Sequence, residues 1–271
     1  MLPPLIDQQY VKDHLGELVV IDSRWYGRSG HDAYLGGHLP GAVFVDLSEE
    51  LAGAPGPESG RHPLPETGAF AAAMRRLGLD EESHSVVYDD AGGTIAARLV
   101  WMLRALGRSS ALLDGGIGAW TGELDRGEVT PAEGNFAPRE LPAARLVDIE
   151  EVASYHGLLL DARDASRYRG EGDPVDPRSG HIPGALSAPC RENLDETGRF
   201  LPAAQLRARF AALGIGAGTP VISYCGSGVT ACHNLLALEL ADLGEGRLYP
   251  GSWSQWSSDK SRPIATGSET P

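Results

Sequence analysis

Val221-Ile222-Ser223-Tyr224-Cys225-Gly226-Ser227-Gly228-Val229-Thr230-Ala231-Cys232-His233 runs from an apolar stretch into a cysteine, through a loop of glycine and hydroxyl residues, and on into a helical pattern carried by Leu235, Leu236, Leu238 and Leu240. The pattern predicts a strand, a tight loop and a helix, with a thiol where the helix starts. Backbone N–H groups at such a loop converge on one spot and favour negative charge there. A cysteine so placed reacts as thiolate. The expectation is an enzyme that works through sulfur.

The surrounding composition narrows the class. The chain has 271 residues, 42% hydrophobic and 22% charged, which describes a globular protein large enough for two domains. A net charge of -14 argues against partners such as nucleic acid or an anionic membrane, because phosphate binding needs a basic face. An anionic substrate must then be drawn in by a local arginine cluster. The three cysteines, Cys190, Cys225 and Cys232, fit reduced thiols and a cytoplasmic location, not a disulfide framework. No Cys-x-x-Cys spacing is present, so neither a metal nor another cofactor is expected. The N-terminus lacks a signal-peptide pattern, and no stretch approaches the ~20 apolar residues of a membrane span.

Landmarks recur in order along the chain. Val19-Val20-Ile21-Asp22-Ser23-Arg24 returns as Leu158-Leu159-Leu160-Asp161-Ala162-Arg163, and Gly37-His38-Leu39-Pro40-Gly41-Ala42 as Gly180-His181-Ile182-Pro183-Gly184-Ala185. Leu77-Gly78-Leu79 returns as Leu213-Gly214-Ile215, and Leu113-Asp114-Gly115-Gly116 with Trp120 as Tyr249-Pro250-Gly251-Ser252 with Trp256. This is a tandem duplication of an α/β unit, each half a parallel sheet flanked by helices. The expected domains are residues 1–124, a linker at 125–146 that is rich in proline and lacks periodicity, and residues 147–271. The first copy of the cysteine loop reads Val86-Val87-Tyr88-Asp89-Asp90-Ala91-Gly92-Gly93-Thr94, and this alignment sets Asp90 against Cys225. A carboxylate cannot carry sulfane sulfur, so the first half is expected to be inactive and supporting.

These ordered features resemble the two-domain sulfurtransferases of the rhodanese superfamily over almost the whole chain. The resemblance rests on Asp22-Ser23-Arg24-Trp25, His-x-Pro-Gly-Ala in both halves, the Cys225 to Thr230 loop, and Gly251-Ser252-Trp253 with Trp256. It implies two tandem rhodanese-like domains and double displacement. Cys225 takes a sulfur atom from a small-molecule donor, and its persulfide passes the sulfur to cyanide or to a thiol such as thioredoxin. Gly226, Ser227, Gly228, Val229 and Thr230 would form a cradle of N–H donors, the two glycines adopting torsions that other residues resist. Thiosulfate-type members carry basic residues after the cysteine. Neutral Gly226 and Ser227 resemble instead the type that uses 3-mercaptopyruvate and releases pyruvate. Thiosulfate as donor, or a persulfide carrier for a partner protein, are the alternatives.

The donor's carboxylate calls for a guanidinium. Arg167 matches the family's arginine, with Ser166 in place of the preceding glycine, while Arg169 and Arg178 compete for a second role. The resemblance also implies a relay of Ser227, a histidine and an aspartate. His62 fits the histidine, and Asp46 is the neighbouring aspartate, Ser48 occupying the relay position itself. Cys190, Cys232, Trp253 and Trp256 read as core, and His38 and His181, present in both halves, as structural. Ala231, standing where its arginine would be, argues against a Cys-x5-Arg phosphatase loop.

Overall fold

The computed structural model describes residues 1–26 and 29–268. The chain forms two compact units: Met1–Gly53 with Leu64–Leu141 and Glu196–Phe200, and Ala54–Pro63 with Pro142–Asp195 and Leu201–Pro271. The segment Ala54–Pro63 therefore belongs to the second unit although it lies early in the chain. The stretch 125–146 is irregular apart from one short turn of helix at Ala143–Arg145. Its first part is pinned to unit 1 through His38 N–H to Asp125 O (3.0 Å), Gly134 N–H to Arg75 O (2.9 Å) and the buried Phe136, which meets Phe70 edge-on.

Unit 1 runs β1 (Leu5–Ile6), α1 (Gln8–Asp13), β2 (Leu18–Asp22), α2 (Gly30–Gly36), β3 (Val43–Phe44), α3 (Leu47–Glu50), α4 (Thr67–Arg76), β4 (His84–Tyr88), α5 (Ala97–Ala105) and β5 (Ser109–Leu113). Unit 2 runs α6 (Ile149–Ala153), β6 (Leu158–Asp161), α7 (Ala165–Arg169), β7 (Leu186–Ser187), α8 (Ala203–Ala212), β8 (Val221–Tyr224), α9 (Ala231–Leu240), β9 (Arg247–Leu248) and α10 (Ser252–Ser258). The sheets are parallel throughout, in the orders β1-β5-β4-β2-β3 and β7-β6-β8-β9. A single parallel bridge, Leu146 to Leu248, stands in unit 2 where unit 1 has β1. The central strands β4 and β8 are near-continuous buried runs, as helix-covered parallel strands must be.

The repeated motifs build the same network twice. In unit 1 the Arg24 guanidinium donates to Asp22 (2.7 Å) and to Gly37 O (2.6 Å), and the Tyr88 hydroxyl donates to Asp22 (2.7 Å). In unit 2 Arg163 donates to Asp161 (2.6 Å) and to Gly180 O (2.6 Å), and the Tyr224 hydroxyl bonds Asp161. His38 and His181 lie flat on Tyr34 and Tyr168, with ring centroids 4.3 and 3.7 Å apart. Their ring nitrogens bond backbone carbonyls, so both histidines serve the turn and not chemistry.

Candidate active site

β8 ends at Tyr224, Cys225 follows at 2% exposure, and α9 begins six residues later at Ala231. Two neighbours clamp this loop. The first N–H groups of α10 donate to its carbonyls, Trp253 to Cys225 O and Ser254 to Gly226 O, both at 2.9 Å. The Cys225 N–H donates to Ser252 Oγ (3.1 Å), whose own hydroxyl donates to Tyr249 O (2.9 Å). Ser252 sits at φ 53°, a left-handed conformation that costs a non-glycine residue of order 1–3 kcal/mol. That strain is held at the residue bracing the backbone of Cys225.

The two loop glycines turn out to be there for different reasons. Gly228 is left-handed (φ 75°), as expected. Gly226 is not; a Cβ there would lie 2.9 Å from Arg61 Nη2 and 3.5 Å from both terminal nitrogens of Arg167. Two guanidinium groups, from separate segments of the unit, thus lie over the residue that follows the cysteine.

The first copy shows what the cradle can hold. Tyr88 and Tyr224 occupy matching places, pairing with Asp22 and Asp161, and Ile117 N–H donates to Asp89 O as Trp253 N–H does to Cys225 O. The counterpart of Cys225 is therefore Asp89 and not Asp90, which is exposed one residue further on. The register is set by the tyrosine contacts, and the Asp89-Asp90 doublet disguised it in the sequence. The buried Asp89 carboxylate accepts N–H bonds from Ala91 (2.8 Å), Gly93 (2.7 Å), Ile95 (2.8 Å) and Ala96 (3.0 Å). A loop of this shape thus gathers four main-chain donors around one anion. In the second copy, among the described residues, the N–H groups of Ser227 and Val229 (the counterparts of Ala91 and Gly93) are spent on no bond within the protein.

The segment Ala54–Pro63 supplies the facing side chains. His62 Nδ1 lies 2.8 Å from Ser227 Oγ. Arg61 pairs with Asp176, whose other oxygen accepts from Arg167 (2.9 Å). Arg167 also grips Asp173 through Nε (3.2 Å) and Nη2 (2.9 Å). Burial alone would raise the Asp173 carboxyl. The N–H groups of Asp176 and Val175, with Arg167, instead hold it below the usual carboxylate range. Burial dominates at Asp176 and pushes its carboxyl up, against the pull of Arg61.

The structure thus brings together Cys225, Gly226, Ser227, Gly228, Val229, Thr230, Arg167 and His62. Of the other expected residues, Arg169 and Arg178 are engaged elsewhere in unit 2, and Asp46 lies in unit 1. Arg169 pairs with exposed Glu171 (2.6 Å). The Arg178 guanidinium is spent on carbonyls of the C-terminal turn, among them Ser257 (2.8 Å), Trp256 (3.0 Å) and Arg262 (2.9 Å). Asp46 belongs to unit 1 and caps α3 by accepting from the N–H groups of Ser48 (2.7 Å) and Glu49 (3.0 Å). Arg61, Asp173, Asp176 and Ser252 were not singled out beforehand. The adjacency of Arg61 to His62 was the one available signal.

The other thiols are committed elsewhere. Burial, then the neighbouring Cys225, push the Cys190 thiol up to about 12, so it stays protonated. Cys232 Sγ donates to Gly228 O (3.4 Å), bracing the loop from the helix side. Cys232→Ser keeps a donor at that carbonyl and is expected to leave turnover close to that of the parent, as initial rates would show.

Comparison with known proteins gives a consistent set of relatives. Residues 7–123 and 143–259 each match the Rhodanese-like domain family. A probable 3-mercaptopyruvate sulfurtransferase of Pseudomonas aeruginosa is 44% identical, covering 97% of this chain and 98% of the relative. A putative thiosulfate sulfurtransferase of Mycobacterium tuberculosis is 42% identical, covering 92% of this chain and 90% of the relative. Among solved structures, SseA of Escherichia coli, described as a 3-mercaptopyruvate sulfotransferase of rhodanese fold, superposes with a TM-score of 0.80 at 34% identity, covering 93% of this chain and 100% of SseA.

Proposed function

Because the chain belongs to the rhodanese family and is a sulfurtransferase with two rhodanese domains, we propose that it moves sulfur from 3-mercaptopyruvate to cyanide or a thiol acceptor through a persulfide on Cys225. The observation that carries the donor assignment is the Ser227–His62 contact beside a neutral loop. The Cys225 thiolate attacks the donor's thiol sulfur. The donor's C–S bond breaks, and its electron pair leaves on carbon as the enolate of pyruvate, which then takes a proton. The sulfur has been oxidised to the sulfane level and the carbon reduced, so the step needs no outside oxidant.

Each group has a task in that step. The cradle's N–H groups stabilise the anionic sulfur before and after transfer, as they stabilise the Asp89 carboxylate in the first copy. Ser227 and His62 lie where a hydroxyl and an imidazole can polarise the donor's ketone and pass the proton to the enolate. In the second half-reaction cyanide or a thiolate attacks the outer sulfur, and Cys225 leaves as thiolate. Thioredoxin is the protein thiol we propose as acceptor. We further propose a cytoplasmic location for this thiol chemistry; among the described residues, no helix is long and apolar enough to cross a membrane.

Charge favours this donor over thiosulfate. Arg61 and Arg167 face Asp173 and Asp176, so the cluster is close to neutral and suits a single carboxylate better than a dianion. Initial rates with the two donors, cyanide being the common acceptor, test the assignment. A kcat/KM clearly higher for 3-mercaptopyruvate is expected. The reverse order would make thiosulfate the donor.

A further inference from the structure

We propose that Arg61 is a second donor-binding residue, completing with Arg167 a two-guanidinium grip on the donor's carboxylate. The inference rests on the reading of Cys225 as the acceptor of sulfur from an anionic donor.

The placement of Arg61 is built and not incidental. Gly56 and Gly60 exchange backbone hydrogen bonds (3.0 and 2.8 Å) that close the loop before it. Gly60 is left-handed (φ 85°), and a Cβ there would meet Gly251 O at 2.7 Å, so the chain passes hard against the start of α10. The Arg61 N–H then donates to Ser254 Oγ (3.1 Å), while the Ser254 N–H holds Gly226 O (2.9 Å). One helix turn therefore fixes both the nucleophile loop and the backbone of Arg61.

The side chains complete the case. Asp176 ties Arg61 Nη1 to Arg167 Nη2 and so sets the spacing of the two guanidiniums. The nitrogens left over are Arg61 Nη2 and Arg167 Nη1, which hold no hydrogen bond among the described residues. Both face Gly226, at 2.9 and 3.5 Å from where its Cβ would be, the paired Arg167 Nη2 lying at 3.5 Å as well. Two unspent donors one residue from the nucleophile match the two oxygens of a carboxylate, and glycine at 226 keeps the space between them clear.

The test compares two donors on the full chain: 3-mercaptopyruvate, and mercaptoacetone, the same keto-thiol without the carboxylate. Arg61→Gln is expected to lower kcat/KM for the carboxylate donor by about 10- to 100-fold, the scale of a lost hydrogen bond to a charged group. The rate with mercaptoacetone should stay near that of the parent, and Arg61→Lys should recover part of the loss. No loss with 3-mercaptopyruvate, or an equal loss with both donors in Arg61→Lys and Arg61→Gln proteins that unfold at the parent's midpoint, would overturn the assignment. Failure of the donor reading looks different, because the parent protein itself would take no sulfur from 3-mercaptopyruvate. Arg61→Gln would then be scored by persulfide loading from thiosulfate, whose anionic oxygens would take the carboxylate's place in the same two-guanidinium grip. An unchanged loading rate there would overturn the proposal, and a tenfold slower one would sustain it.

Discussion

Cys225→Ser is expected to abolish sulfur transfer while leaving the protein folded. Serine keeps the size of the side chain and every main-chain tie at this position: the N–H to Ser252 Oγ and the carbonyl to Trp253 N–H. What it removes is the sulfur atom that attacks the donor and accepts the transferred sulfur. Loss of a covalent nucleophile typically costs a thousandfold or more, about what is expected here. The neighbouring thiols are no substitute, Cys190 being held protonated by burial and Cys232 tied to Gly228 O. Thiocyanate formation measures the loss, and mass spectrometry after donor exposure should find the extra sulfur on Cys225 in the parent and on no residue in the variant. Turnover above about a hundredth of the parent's, against the thousandfold loss expected, would mean that another group carries the sulfur.

How much of this was legible beforehand depends on how local each feature is. The strand, loop and helix around Cys225 were readable because an apolar run, two glycines and a leucine-rich helix follow one another directly. The duplication was readable because Asp-x-Arg and His-x-Pro-Gly-Ala build a buried turn network that each copy needs for its own folding. Position 89 was misread as 90 because two adjacent aspartates offer the same chemistry, and only the tyrosine contacts choose between them. Arg178 attracted attention through its closeness in sequence to His181, yet its guanidinium closes the C-terminal turn. Arg61 was passed over for the opposite reason. It lies far from Gly226 along the chain, in a segment that chain order assigns to the first copy and packing assigns to the second unit. Gly226 was marked for a backbone torsion, but its glycine serves the space beneath two guanidiniums.

Asp161→Ala is expected to destabilise unit 2 by about 3–5 kcal/mol, the usual cost of removing one partner of a buried ion pair. Arg163 is 3% exposed, and its guanidinium has been taken out of water on the strength of Asp161, Gly180 O and the face of Trp253, whose ring centroid is 4.7 Å away. Without the carboxylate, that charge is left with Asp173 at 3.4 Å as its nearest anion, and the Tyr224 hydroxyl loses its acceptor next to Cys225. Asp173 offsets part of the loss, which places Asp161→Ala toward the lower end of the range. Asp22→Ala in unit 1 supplies the comparison. Arg24 carries the same ties to Asp22 and Gly37 O, but it is less buried (8% exposed against 3%) and Asp90 lies within electrostatic reach of it, so the loss there should be no larger. Asp161→Asn separates charge from shape: an amide of the same outline still leaves Arg163 unneutralised and should lose nearly as much as alanine. Thermal unfolding followed by circular dichroism reads all three variants, with a fall of on the order of 10 °C expected in the transition of the affected unit. If Asp161→Asn unfolded with the parent, the shape of the side chain and not its charge would be what holds Arg163 inside.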